Sequence, residues 1–312
     1  MKIYEDISGF RGSEFPVVTV GTFDGLHIGH QKIIRRMKEI ARQNNGDTIL
    51  ITFEPHPRQV LGNGNGNLKF ISTRKRKMEL LAHFGIDHMI IIPFTKEFAQ
   101  TSSEEFVKNY LADILRTRFL VVGYDHHFGR GRSGDYDQLR LLGRKHGFEV
   151  EEISACMLGD IPVSSTKIRQ ALNEGDIALA NRMLGYAYSI TGKVVQGNHI
   201  GTRIGFPTAN IECEDQFKLI ARGGVYACRI ETAMGRFNGM GNIGFRPTIG
   251  GSEQVTEVHL FDFEGNLYGQ EITIFFIDRI RDEIKFRDLE ALRNQLVADE
   301  KKARTILGTS PY

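Results

Sequence analysis

At 312 residues the chain has room for two domains with separate cores, and its 41% hydrophobic and 25% charged content is that of an ordinary soluble globular protein. A formal charge of +2 argues against a protein built around a polyanion, so neither nucleic acid nor a membrane is expected as a partner. Three cysteines without a C-x-x-C spacing indicate neither a disulfide framework nor a zinc knuckle and favour a reducing cytoplasm; no signal peptide or membrane-spanning run is expected.

Phe15 to Val20 reads as a short buried strand. It leads into Gly21-Thr22-Phe23-Asp24-Gly25-Leu26-His27-Ile28-Gly29-His30. Behind it, Ile33, Ile34, Met37, Ile40 and Ala41 recur at helical spacing, so a helix begins near Gly29. Its N-terminus faces a glycine turn, where free N–H groups attract anions and Gly25 and Gly29 let a phosphate approach the main chain. His27 and His30 flank Gly29, placed to donate hydrogen bonds to charge building on phosphorus. Zinc is the weaker alternative, because no third ligand stands at a familiar spacing. The stretch resembles the signature of the nucleotidyltransferase superfamily. That resemblance implies attack on the α-phosphate of ATP, with Gly21, Phe23, Asp24 and Gly29 as candidate nucleotide contacts beside the histidines.

Thr48 to Phe53 is a second buried strand, completing a βαβ unit with parallel strands. It ends at Glu54-Pro55-His56-Pro57, where the prolines are expected to stop any helix and to aim His56 toward the ligand edge of the sheet. Gly62 to Asn67 reads as a flexible loop without chemistry. Arg74-Lys75-Arg76-Lys77 reads as the exposed face of a helix capped by Ser72 or Thr73 and stopped by Gly85. A strand at His88–Ile92, a helix around Phe106 to Leu115 and a strand at Phe119–Val122 follow. Gly123 to Asp135 contains a weak G-x-G-x-x-G match and reads better as a mobile basic loop near the ligand edge, with Asp125 at its start. Phe148 to Ile153 is a fifth strand.

Ser164 to Arg169 leads into a helix whose Ser/Thr cap and free N–H groups stand beside Lys167 and Arg169. Ser165, Thr166, Lys167 and Arg169 form a second anion site, suited to a departing pyrophosphate. Near Gly185 the pattern changes to short strands between glycine turns: Tyr188–Val195, Gly224–Glu231, Phe237–Ile243, Val255–Phe263 and Gln270–Ile277. Strands in succession argue for an antiparallel sheet or small barrel, closed by a helix over Arg287–Arg304. Within this part, Gly197 to Asn210 is glycine-rich, with Gly197, Gly201 and Arg203 available to phosphates. If extended, Thr208 and Asn210 share a face from which hard oxygens could hold Mg²⁺. Glu257 alternates with apolar residues and by pattern alone is a solvent-facing strand residue.

GTFDGLHIGH, TFEPHP, SSTKIRQAL, IGFPTANI, GMGNIGFRPT and EVHLFDFEGNLYG occur in that order. On these motifs the chain resembles the bacterial bifunctional riboflavin kinase/FMN adenylyltransferase family along essentially its whole length. The resemblance implies an α/β plus β protein: a Rossmann-like nucleotidyltransferase domain with a parallel sheet over 1–184, then an antiparallel six-stranded β-barrel with a C-terminal helix over 185–312. It further implies riboflavin, FMN and ATP as substrates and Mg²⁺ as metal. By motif position, His27, His30 and Arg169 would act on the ATP phosphates, with His56 nearby. Thr208 and Asn210 would hold the metal, and Glu257 would be the general base. Asp125-His126-His127-Phe128-Gly129 departs from the Asn-Phe-x-Phe-Gly of many members, and Asp125 is kept as a flavin or phosphate contact.

Overall fold

The computed structural model describes residues 1–62, 68–197, 200–213, 215–248 and 251–312. Residues 63–67 of the expected glycine-asparagine loop, and Asn198 and His199 of the glycine-rich stretch, lie outside them. The chain divides into two compact units, Met1–Ser164 and Ser165–Tyr312.

The first unit holds β1 (Lys2–Tyr4), β2 (Pro16–Val20), α1 (Ile28–Gln43), β3 (Asp47–Glu54), α2 (Pro57–Leu61), α3 (Arg74–Phe84) and β4 (His88–Pro93). It continues with α4 (Ser103–Phe106), β5 (Phe119–Gly123), α5 (Tyr136–His146), β6 (Glu149–Ile153) and the hairpin β7 (Met157–Leu158) and β8 (Ile161–Pro162). Six strands form one sheet in the order β1-β4-β3-β2-β5-β6, parallel throughout. All five residues of β2 are buried, as their apolar run required. From β2 the chain winds first one way, through β3 and β4, and then the other, through β5 and β6. The turn after β2 therefore opens at the switch point, where such sheets bind ligands. Ile33, Ile34, Met37, Ile40 and Ala41 are the buried face of α1. On α3, Thr73 is the N-cap and Gly85 ends the helix in the left-handed region.

One expectation needs correction, and two others gain detail. Pro57 does not stop a helix; it occupies the first position of α2, where its missing N–H is harmless, and His56 is the N-cap. The helix around Phe106 begins as α4 and continues over Val107–Ile114 as a π-helix. Within the loop after β5, Phe128 and Gly134 exchange backbone hydrogen bonds of 3.1 and 3.0 Å, and the Arg130 N–H donates to the Thr101 carbonyl at 2.9 Å.

The second unit comprises α6 (Ser165–Glu174), α7 (Ile177–Leu184), β9 (Ser189–Val195), α8 (Ile200–Arg203), β10 (Ala209–Glu212), β11 (Gly224–Thr232), β12 (Gly235–Thr248), β13 (Gly251–Leu260), β14 (Glu271–Arg281) and α9 (Leu289–Thr309). The six strands close into an antiparallel barrel, β10-β13-β12-β11-β14-β9. Tyr226 meets Phe276 edge-on inside it, at 5.4 Å between ring centroids. The alternate residues Val225 and Ala227 face outward, into a cluster with Met240, Ala303 and Leu307 beneath α9. Asp299 of α9, 2% exposed, accepts from the Arg281 guanidinium at 2.7 to 3.0 Å, which pins the helix to β14. The buried Asn181 side chain fastens α7: it donates to the carbonyls of Phe276 and Ile277 at 2.8 and 3.2 Å and accepts from the Tyr188 N–H at 2.7 Å. All three cysteines are free, and among the described residues no helix is long and apolar enough to cross a membrane.

Candidate active sites

The turn from β2 to α1 is held against main-chain strain by buried apolar side chains and one carboxylate. Phe23 (φ 48°) and Leu26 (φ 34°) lie in the left-handed region, which costs a non-glycine residue about 1–2 kcal/mol each. Their burial, to 3% and 0% exposure, offsets that cost. Gly25 also has positive φ, and a Cβ there would lie 3.0 Å from the Ile71 side chain. The Asp24 carboxylate accepts from the N–H groups of Ile71 and Ser72, both at 3.1 Å, while the Ser72 hydroxyl accepts from the Gly25 N–H at 2.9 Å. Asp24 thus braces the turn against the segment leading to α3. Gly21 ends the strand with its N–H on the Ile51 carbonyl at 3.0 Å.

His27 is the N-cap of α1, its Nδ1 accepting from the His30 N–H at 3.4 Å. That contact leaves Nε2 to carry the proton of the neutral ring. The two imidazoles stack at 3.7 Å between centroids, and Phe23 lies 4.7 Å from His30. Gly29 permits the stack, since a Cβ would fall 3.1 Å from His27 Nδ1. Burial pushes the His27 pKa down to about 4, with Asp24 opposing part of the shift. His30 is held well below its ordinary value, first by burial and then by His27. Its Nδ1 is buried without a hydrogen-bond partner among the described residues. At neutral pH the pair therefore offers uncharged N–H donors at a helix N-terminus.

His56 caps α2 through Nδ1, which accepts from the Arg58 N–H at 3.1 Å, and its ring lies 5.0 Å from Phe70. Asp125 is exposed just beyond the carboxyl end of β5. Ser165, Thr166, Lys167 and Arg169 occupy the first turns of α6, at the start of the second unit. Sequence reasoning missed Lys77. In the run read as an exposed face, Arg74 pairs with Glu5 and Glu54 and Arg76 with Glu79, but Lys77 turns inward to Thr52 Oγ1 at 3.4 Å.

On the barrel, the register places Asn210 of β10 beside Glu257 of β13, and Asn242 of β12 on the other side of Glu257. Directly opposed side chains on one face have Cβ atoms about 4.5–5.5 Å apart, so two amides flank the carboxylate. Thr208 lies two residues before Asn210, just ahead of β10. Asn210 is 8% exposed, and a Cβ on Gly197 would fall 2.0 Å from its Nδ2, so this glycine lets the chain close against the amide. Gly201 and Arg203 lie on α8, with Arg203 exposed. The His259 ring bonds the Pro207 carbonyl at 2.8 Å and so holds the entry to β10. Asn242 was not singled out in the sequence, because a neutral amide between glycines carries no pattern of its own.

Asn210 brings a neutral hard oxygen beside a carboxylate, and the Thr208 hydroxyl stands two residues earlier in the chain. Among the described residues no group of three His, Cys, Asp or Glu could hold a metal ion. That donor set suits Mg²⁺, which keeps waters and takes phosphate oxygens instead of a full protein cage.

Comparison with known proteins assigns both units. The FAD synthetase family matches residues 12–167 and the riboflavin kinase family residues 184–307. The bifunctional riboflavin kinase/FMN adenylyltransferase of Escherichia coli strain K12 is 36% identical over 294 residues, covering 94% of this chain and 93% of its own. Its counterpart in Haemophilus influenzae is 37% identical over 293 residues, covering 94% of each. A solved chain from Streptococcus pneumoniae, described as a macrolide-efflux protein, has the same fold with a TM-score of 0.90 at 29% identity, covering 97% of this chain and 98% of that one. With both halves matched and the identity carried along nearly the whole length, the chain belongs to the family of bifunctional riboflavin kinase/FMN adenylyltransferases.

Proposed function

We propose that the two activities of this flavin-cofactor enzyme are divided between the His27–His30 turn and the barrel face around Glu257, with domain limits of 1–184 and 185–312. The kinase converts riboflavin and ATP to FMN and ADP, and the adenylyltransferase converts FMN and ATP to FAD and pyrophosphate. The placement of Glu257 between Asn210 and Asn242 is the observation that carries this division.

Riboflavin's primary hydroxyl is not ionised at neutral pH. As its oxygen attacks the γ-phosphorus, the Glu257 carboxylate accepts the proton and the bond to the ADP oxygen breaks, a contribution of about 10²–10⁴ in rate. Thr208 and Asn210 would hold Mg²⁺, which when bound neutralises charge on the phosphate oxygens. In the other reaction the nucleophile is the FMN phosphate, largely ionised because its second pKa is about 6. It needs no base. Attack on the α-phosphorus of ATP expels pyrophosphate, and His27 and His30 donate neutral N–H groups to the oxygens that gain charge. Lys167 and Arg169 would serve the polyphosphate, and His56 and Asp125 the flavin nucleotide. The three free cysteines support a cytoplasmic setting.

The experiment supplies riboflavin and Mg-ATP to the wild-type chain, Glu257→Ala and His30→Ala, and separates the flavins by chromatography. Glu257→Ala should form FMN about 10²–10⁴-fold more slowly yet convert supplied FMN to FAD, whereas His30→Ala should accumulate FMN. A folded variant that lost both reactions would refute the division.

A further inference from the structure

Lys77 is the basic residue of its run that the surface does not use. It sits one turn into α3, with Nζ 3.4 Å from Oγ1 of the fully buried Thr52 on β3. An ammonium has three N–H groups, and this single long contact engages one of them. Among the described residues no other acceptor and no carboxylate lies within bonding or ion-pair distance of Nζ. The charged groups that face it are Glu54 at the end of β3, Asp24 in the histidine turn and Arg74 on its own helix. Both carboxylates are already engaged, Glu54 with Arg74 at 3.2 Å and Asp24 with the amides of Ile71 and Ser72. Burial lowers the ammonium's pKa, Glu54 and Asp24 oppose that, and Arg74 adds to it. Placing a charge this way is unfavourable unless a partner completes it. Lys77 is only half-buried, so a ligand can reach it, and it lies at the carboxyl edge of β3, on the ligand side of the sheet.

We infer that Lys77 binds a phosphate oxygen of an adenylyl-transfer substrate, either the FMN phosphate or the ATP polyphosphate, using the N–H groups that Thr52 leaves over. This rests on the assignment of adenylyl transfer to the histidine turn. The compact ammonium places a positive charge where both imidazoles are neutral, so the site gains attraction for an anion without protonating a histidine.

The test measures steady-state FAD formation by full-length Lys77→Met and Lys77→Arg, with riboflavin phosphorylation by the same preparations as internal control. Lys77→Met should raise KM about ten- to a hundredfold for the substrate whose phosphate it holds, leaving the kinase rate unchanged. A rise for FMN assigns the nucleophile's phosphate, and a rise for ATP assigns the polyphosphate. In Lys77→Arg, whose guanidinium does not deprotonate, the alkaline fall in kcat/KM should move to higher pH or vanish. If the methionine variant fails to fold, the arginine pH profile still decides. Wild-type KM values for both substrates in folded Lys77→Met, or an unchanged alkaline limb in Lys77→Arg, would overturn the inference. Loss of riboflavin phosphorylation with FAD formation intact would instead overturn the assignment of reactions to units.

Discussion

Around the turn after β2 the reactive groups are uncharged, with His27 held to a pKa of about 4 and the Asp24 carboxylate spent on backbone amides. On the barrel a carboxylate stands in the centre of the row, between Asn210 and Asn242. Under the proposed division both faces handle ATP, so the contrast does not come from the shared substrate. It follows the nucleophile. An alcohol must shed a proton to become one, and a phosphate dianion has none to shed and would be held back by a neighbouring anion.

Removing the proton acceptor should have the largest effect. Glu257→Ala is expected to lower FMN formation about 10²–10⁴-fold while sparing FAD formation from supplied FMN, which initial rates with each flavin would check. Next comes His30→Ala, expected to lower FAD formation about 10²–10³-fold with FMN formation intact. An equal drop in both rates would erase the contrast.

Protonation sharpens it on the first unit alone. His27 titrates near pH 4 when folded and near 6.5 when unfolded, so between those values the unfolded chain binds more protons. Its contribution to stability is complete above about pH 6.5 and is lost as the pH falls toward 4, a difference of up to about 3 kcal/mol. Urea unfolding followed across that range should show His27→Gln losing less stability than wild type. The smallest effect expected is at Asn242→Ala, about tenfold in the kinase rate through loss of one neighbour of Glu257. Unchanged kinetics there would narrow the working row to Asn210 and Glu257.

Much of this was legible in the sequence where a repeating pattern or a required backbone shape leaves a mark. The β2–turn–α1 unit, the Thr73 cap and Gly85 stop of α3, and five of the six barrel strands all carry such marks. β1 and β10 do not, being three and four residues long, too short for alternation to register. Pro57 misled because proline breaks a helix interior but suits its first position. Lys77 was concealed by its neighbours, since four consecutive cations look alike until helical rotation sends one inward. The bracing role of Asp24 depends on amides 47 and 48 residues away, which no local spacing reveals.

Leu26 has no exposure to solvent and keeps an unfavourable backbone angle in the turn that presents the histidines. Packing and the Asp24 and Ser72 hydrogen bonds maintain the angle, so the turn is built into the fold and, under the proposed division, nucleotide binding need not bend it. Trimming that one aliphatic side chain should therefore lower FAD formation while FMN output continues, a defect seeded by a residue with no exposed surface.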